Sequence, residues 1–187
     1  MRARHSAGPS IRSSVRLRRA SLRDQPFVLH VCTMVRLQTF TGPALPAEEV
    51  QALVGMQVKA AERKQSLAYP MAASYVVVDG QRPVGRLMLD AAPDRIHLVD
   101  LTLLPDAQGM RIGTTVMLGL CQLATERALP VTAQVRRDDR LETFLRHLDF
   151  EVVEVDDELA RLEWRPPAQV GSDALAVGLG AAQPHPA

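Results

Sequence analysis

The stretch LLPDAQGMRIGTTVM, Leu103 to Met117, runs from apolar residues through a proline turn to two glycines four apart, Gly109 and Gly113, and on into helical spacing. A strand that ends in a glycine loop and passes straight into a helix aims several backbone N–H groups, and the positive end of the helix dipole, at one spot. That spot suits an anion such as a phosphate. Glycine permits positive φ there and lets the backbone approach without a Cβ in between. Two phosphate loops do not fit. The P-loop needs lysine after its second glycine, where this chain has Thr114. The dinucleotide fingerprint needs G-x-G-x-x-G with an acid about 20 residues on, and neither spacing nor context agrees.

Other chemistry is thinly represented. Cys32 and Cys121 are the only cysteines, each inside an apolar segment where a thiol behaves as a small hydrophobe, so neither a disulfide framework nor a zinc site is expected. The five histidines show no metal-ligand spacing. A net charge of +1 gives no field favouring nucleic acid or a membrane surface. Arg2, Arg4, Arg12, Arg16, Arg18 and Arg19 form a basic run without acids, read as a solvated tail. No segment reaches the roughly 18 apolar residues of a membrane span and no secretory core is seen, so a cytoplasmic location is expected. Abundant arginine with little lysine suggests a GC-rich bacterial genome.

The elements that must position the loop follow from periodicity. With 187 residues, 47% of them hydrophobic, the chain fits one domain. We expect disordered ends at 1–14 and 167–187, the second Pro, Ala and Gly rich, around one domain at 15–166. VRLRRAS (Val15 to Ser21) alternates like a strand with one wet face. Phe27, Val31, Met34 and Val35 are spaced for a helix with Asp24 as N-cap, and a second helix after Pro46 carries acids in its first turn and bases in its last. SYVVVDGQRPVGRLMLD is a hairpin turning at Asp79 and Gly80. IHLVDLTLL (Ile96 to Leu104) is apolar enough for a central strand covered on both faces. A helix at Gly113 to Arg127, a strand at Val131 to Val135, a short helix at Leu141 to Leu148 and a last pair at Phe150 to Val155 and Leu159 to Trp164 complete the order β-α-α-β-β-β-α-β-α-β-β. The fold class is α/β (α+β): a mixed, mostly antiparallel sheet of six to seven strands with helices on both faces.

Gln108, Gly109, Met110, Arg111, Ile112 and Gly113, preceded by LVDLTLLPDA, resemble the Q/R-x-x-G-x-G/A motif of the GNAT superfamily of N-acetyltransferases. VDGQRPVGRLML resembles that family's second and third strands, and FLRHLDFEVVE its lYerlGFe segment. The resemblance covers roughly residues 15 to 166. It implies a GNAT-like fold and acetyl transfer from acetyl-CoA, as co-substrate, to a primary amine of a small molecule or peptide by direct attack. It also implies that the loop from Gln108 through Thr114 holds the pyrophosphate. The cofactor's arm would pair with backbone near Leu101 to Leu104, Leu103 and Leu104 above all, where an irregularity parts the fourth strand from the fifth. A backbone N–H there would polarise the thioester carbonyl. A base, or a chain of waters, must take the amine's proton.

Asp100 is the first candidate for that base; its other reading is a buried carboxylate satisfied by backbone or by Arg86 on the adjacent strand. His97 is a second candidate, against a packing role. The turn Asp156, Asp157, Glu158 either attracts a cationic amine or is simply a solvated turn. Three departures from the family stand out. Arg111 replaces the motif's middle glycine, costing about 1 kcal/mol if the backbone needs positive φ, though its guanidinium can pair with a phosphate. Leu145 replaces the tyrosine that commonly protonates the leaving thiolate, so Leu145→Tyr is expected to raise turnover. Asp149 replaces a glycine and Asp138 an asparagine, with Asp138 or Asp139 able to cap the following helix. The competing reading is a catalytically impaired GNAT-like binding or scaffolding module. A homodimer is an arrangement the sequence leaves open.

Overall fold

The computed structural model describes residues 14–42, 45–137 and 140–167. The two expected tails, apart from residues 14 and 167, and the cap at Asp138 or Asp139 lie outside the described residues. The elements are β1 (Val15–Arg19), α1 (Gln25–Gln38), α2 (Ala47–Ala68), β2 (Ala73–Asp79), β3 (Arg82–Ala92), β4 (Arg95–Leu103), α3 (Ile112–Glu126), β5 (Val131–Arg136), α4 (Arg140–Arg146), β6 (Glu151–Val155) and β7 (Leu159–Trp164). The order is the expected one. All seven strands join one sheet in the order β1-β2-β3-β4-β5-β7-β6. Every neighbouring pair is antiparallel except β4 and β5.

Neighbouring side chains on a strand point to opposite faces, and two residues of β3 show what covers each. Arg86 hydrogen-bonds Glu62 and Gln65 of α2 and Cys32 of α1. Leu87, next along, lies in the core with Val116, Met117 and Leu120 of α3 and Leu145 of α4. The sheet therefore carries α1 and α2 on one face and α3 and α4 on the other. Leu87, Ile96, Ile112, Met117, Leu145 and Leu162 are fully buried, and each such side chain contributes about 1.5–3 kcal/mol of burial. Among the described residues no helix is long and apolar enough to cross a membrane.

Local details correct several expectations. Asp24 occupies the N-cap position of α1 but makes no cap bond to that helix; its carboxylate accepts from the Ser21 backbone and hydroxyl and from Arg18, closing the preceding 3-10 turn. Helix α2 runs four residues beyond Lys64, so its last turn holds no base. β1 is an edge strand, half-buried only at Val15, without the expected alternation. β4 is central, but it is fully buried only at Ile96 and Leu98 rather than covered on both faces.

Candidate functional site

The half-burial of β4 has a local cause. Leu98 faces Leu89 and Asp100 faces Met88, so Val99 is an extra residue on β4, a β-bulge. The parallel pairing with β5 covers only Ile96–Leu98 against Val131–Ala133 and stops there. Because side chains alternate with period two, one inserted residue exchanges the faces. Ile96 and Leu98 before the bulge, and Leu101 and Leu103 after it, join the α3 core. His97 before it, and Asp100 and Thr102 after it, share the face of α1 and α2.

The bulge also sets where the backbone points. Leu104 N–H donates to Val84 O on the β3 side, so the backbone of Leu101 and Leu103, one residue out of phase, faces the side that β5 has left. The Leu103 carbonyl there accepts a 3.0 Å bond from Gln108 Nε2. Not all of Leu101 to Leu104 is free, then: Leu104 N–H and Leu103 C=O are committed, and Leu103 N–H points into the gap. Gly85, opposite Leu103, is required by this close approach, since a Cβ on it would lie 2.5 Å from the Thr102 carbonyl oxygen and from Leu103 Cδ2.

From Leu104 the chain makes a 3-10 turn at Pro105–Ala107 and enters α3 through two positive-φ residues, Gly109 (φ 72°) and Arg111 (φ 61°). Arg111 is the N-cap of α3 and carries the left-handed strain expected of it, about 1–2 kcal/mol. Gly113 has an ordinary helical φ, contrary to the reading of both glycines as positive-φ positions. A Cβ there would make only normal contacts with Phe144 and Leu103. The first N–H groups of α3 have no partner within the helix, the arrangement that suits an anion at a helix start.

Gap and helix start open into one cleft of about 700 Å³ between α1, α2, β4 and α4. Of the sequence-picked residues, Leu103, Gln108, Gly109, Arg111, Ile112, Gly113, Thr114 and Asp100 line it. Leu104 does not, being buried in the core. Met110 also stands outside it, 45% exposed. Leu145 is a further correction: its exposure is 0% and it packs in the core, while Leu141 and Phe144 of α4 face the cleft. Tyrosine at 145 would overpack the core at a cost of about 1–3 kcal/mol rather than reach a thiolate.

Asp100 sits on the cleft floor with its side chain 21% exposed. Thr102 Oγ1 donates to it, at 2.9 Å from Oδ1 and 3.1 Å from Oδ2, and Arg86 Nε lies 3.6 Å from Oδ2. Burial raises its pKa above the ordinary carboxylate value, with Arg86 and Thr102 opposing. The Arg86 partnership expected from sequence is therefore present, and so is solvent access from the cleft. Cys32, beside Arg86, has its thiol pushed up to about 11 by burial, with Asp100 adding to the shift. Glu62, Gln65, Arg36, Arg140 and Phe144 were not found from sequence, because their approach depends on how three helices pack. Thr102 had a legible signal: it stands two residues from Asp100 on the same strand face.

His97 lies elsewhere. Nδ1 is 2.9 Å from Thr132 Oγ1 and Nε2 3.2 Å from Tyr69 Oη, with the Tyr69 ring stacked at 5.2 Å. Both nitrogens are partnered, and burial lowers its pKa. It lines a separate polar pocket of about 280 Å³ with Arg95, Gln134 and Arg161. In the acidic turn, the Asp156 carboxylate accepts from the N–H groups of Glu158 (2.9 Å) and Leu159 (2.7 Å), so this acid builds its own turn.

The profile of the Acetyltransferase (GNAT) family matches residues 43–150, more than half of the chain. Solved structures share the fold at low identity. The PaiA N-acetyltransferase of Thermoplasma acidophilum in complex with coenzyme A is 16% identical, at a TM-score of 0.60 over 81% of this chain and 99% of its own. An acetyltransferase from Thermus thermophilus is 18% identical, at 0.58 over 81% and 97%. RimL, a ribosomal alpha-N-protein acetyltransferase, is 14% identical, at 0.58 over 84% and 93%. No curated protein matches the chain.

Proposed function

The chain belongs to the GNAT acetyltransferase family, and on that basis we propose that it is an acetyl-CoA-dependent N-acetyltransferase acting on a primary amine of a small molecule or peptide. The observation that carries this reading is the parting of β4 from β5 after the Val99 bulge, directly beside the N-terminus of α3. A diphosphate fits the start of α3, where a Cβ built on Gly109 meets nothing within 4 Å. Arg36, Arg111 and Arg140 line the same cleft and supply cationic partners for phosphates. The Leu103 N–H in the gap suits the amide groups of an extended arm, or a carbonyl that must be polarised.

Acetyl-CoA bound there supplies a thioester, whose C–S bond breaks as the amine nitrogen bonds to the acetyl carbon. Asp100 is the residue placed to accept the amine's proton, because it faces the cleft from the strand that holds the gap and burial makes it more basic than an ordinary carboxylate. Leu141 and Phe144 of α4 cannot donate a proton, and a leaving thiolate with a pKa of about 8.5 is tolerable when water alone protonates it. Phe144→Tyr places a hydroxyl on the cleft and is expected to raise turnover a few-fold, read as the rate of thiol release.

A second reading, a binding module without turnover, is favoured by Leu141 and Phe144, residues of α4 that face the cleft and cannot donate a proton, and by the strained Arg111. Thiol release from acetyl-CoA over a panel of primary amines separates the two. Amine-dependent release supports the enzyme; acetyl-CoA binding with no release on any amine supports the module.

A further inference from the structure

We infer that Glu62 is a positioning residue that shares the Arg86 guanidinium with Asp100 and holds its terminal nitrogens toward α2, making the cleft floor a seat for a cationic amine. The inference rests on the acetyl-transfer reading and names the acceptor class within it.

Arg86 is 3% exposed, and both of its terminal nitrogens are hydrogen-bonded away from Asp100. One terminal nitrogen pairs with Glu62 Oε1 and lies 3.7 Å from Cys32 Sγ. The other donates to Gln65 Oε1 at 3.3 Å and meets Met88 Sδ at 2.9 Å. Only Nε turns toward Asp100, at 3.6 Å, and this buried nitrogen has no hydrogen-bond partner. Asp100 thus feels the guanidinium through space without a charge-assisted bond, which is the stronger form of pairing.

Two carboxylates, Glu62 and Asp100, share one buried cation, so this part of the cleft keeps one negative charge. An ammonium entering the cleft finds Asp100 with lone pairs to spare, and Asp100 then takes its proton. Among the described residues the other charged groups lining the cleft are Arg36, Arg111 and Arg140, which the reading assigns to phosphates. His97, earlier on the same face, lines the separate pocket, and burial shifts it toward its neutral form. A zwitterionic or acidic amine gains nothing from this floor.

Cys32 provides a reporter independent of turnover. Its thiol lies within reach of Arg86 and is raised by both Asp100 and Glu62. Glu62→Gln removes a negative neighbour from Cys32 and Asp100 alike, so the ionised form of each becomes easier to reach. Mass-mapped iodoacetamide alkylation of Cys32 against pH should move its midpoint down by about 1 unit. The acid limb of kcat/KM should move down similarly, and the preference for an alkyl diamine over an amine bearing a carboxylate should narrow about tenfold. Gln65→Glu adds a carboxylate at the same guanidinium and should shift both midpoints upward. This opposite sign keeps the test decisive if Glu62→Gln fails to fold. Shifted Cys32 midpoints with no transfer to any amine in the wild-type protein support the shared-cation arrangement and remove the acetyl-transfer reading. Cys32 midpoints unmoved in folded Glu62→Gln or Gln65→Glu protein, or equal rates for the diamine and the acidic amine in the wild type, overturn the inference.

Discussion

The two halves of β4 are built from similar residues and end in opposite states. Arg95–Leu98 is hydrogen-bonded to β3 on one side, and its Ile96–Leu98 part to β5 on the other. Its polar side chain, His97, is closed off by Thr132 and Tyr69. Past Val99 the strand keeps β3 and loses β5, and Asp100 there has the Thr102 hydroxyl and the Leu101 backbone as donors and a guanidinium held at 3.6 Å. Chemistry is expected where backbone and side chains have bonding capacity left over, and a single inserted residue separates that half from the satisfied one.

The largest expected effect sharpens this contrast at the side chains. Asp100→Asn should lower kcat/KM for acetyl transfer by about 10²- to 10⁴-fold, the usual value of a general base, with the circular-dichroism spectrum unchanged. In the wild-type protein activity should fall with acid as Asp100 takes up its proton. Because burial raises that pKa, the fall should begin above the ordinary carboxylate range. Gly85→Ala breaks the open half itself, since the new Cβ meets the Thr102 carbonyl. It should cost about 1–3 kcal/mol, seen as a Tm lowered by roughly 2–12 °C. Arg111→Gly should relieve the left-handed strain, raising stability by about 1 kcal/mol in urea unfolding, while acetyl-CoA binding by calorimetry weakens about tenfold from loss of a phosphate partner. The smallest effect belongs to the closed half: His97→Gln should change kcat less than about three-fold, because a partnered ring in a separate pocket takes no part in transfer.

The order of elements and the loop were legible in the sequence because each rests on local pattern. Val131 to Val135 reads as a strand from β-branched residues alone, and Gln108 to Gly113 stands out through glycine spacing. The bulge was not legible as a position, since Val99 is one apolar residue in an apolar run and only its pairing with β3 shows it to be extra. For the same reason IHLVDLTLL read as buried on both faces, whereas the inserted residue turns Asp100 and Thr102 onto a cleft. Leu145 was misplaced because alignment fixes a position along α4 but not which side of that helix meets the core. Glu62, on α2, was invisible because its partner Arg86 lies on β3, and no spacing rule links a helix to the sheet beneath it.

Amide hydrogen exchange of the wild-type protein with and without acetyl-CoA tests most directly whether the open half of β4 and the start of α3 form one cofactor seat. Added protection is expected at Leu101 to Leu103 and at the first turn of α3, Ile112 to Thr114, with Ile96 to Leu98 unchanged. Protection that leaves both of those segments untouched, or that falls instead on the closed half of β4, would show that the cofactor does not sit there.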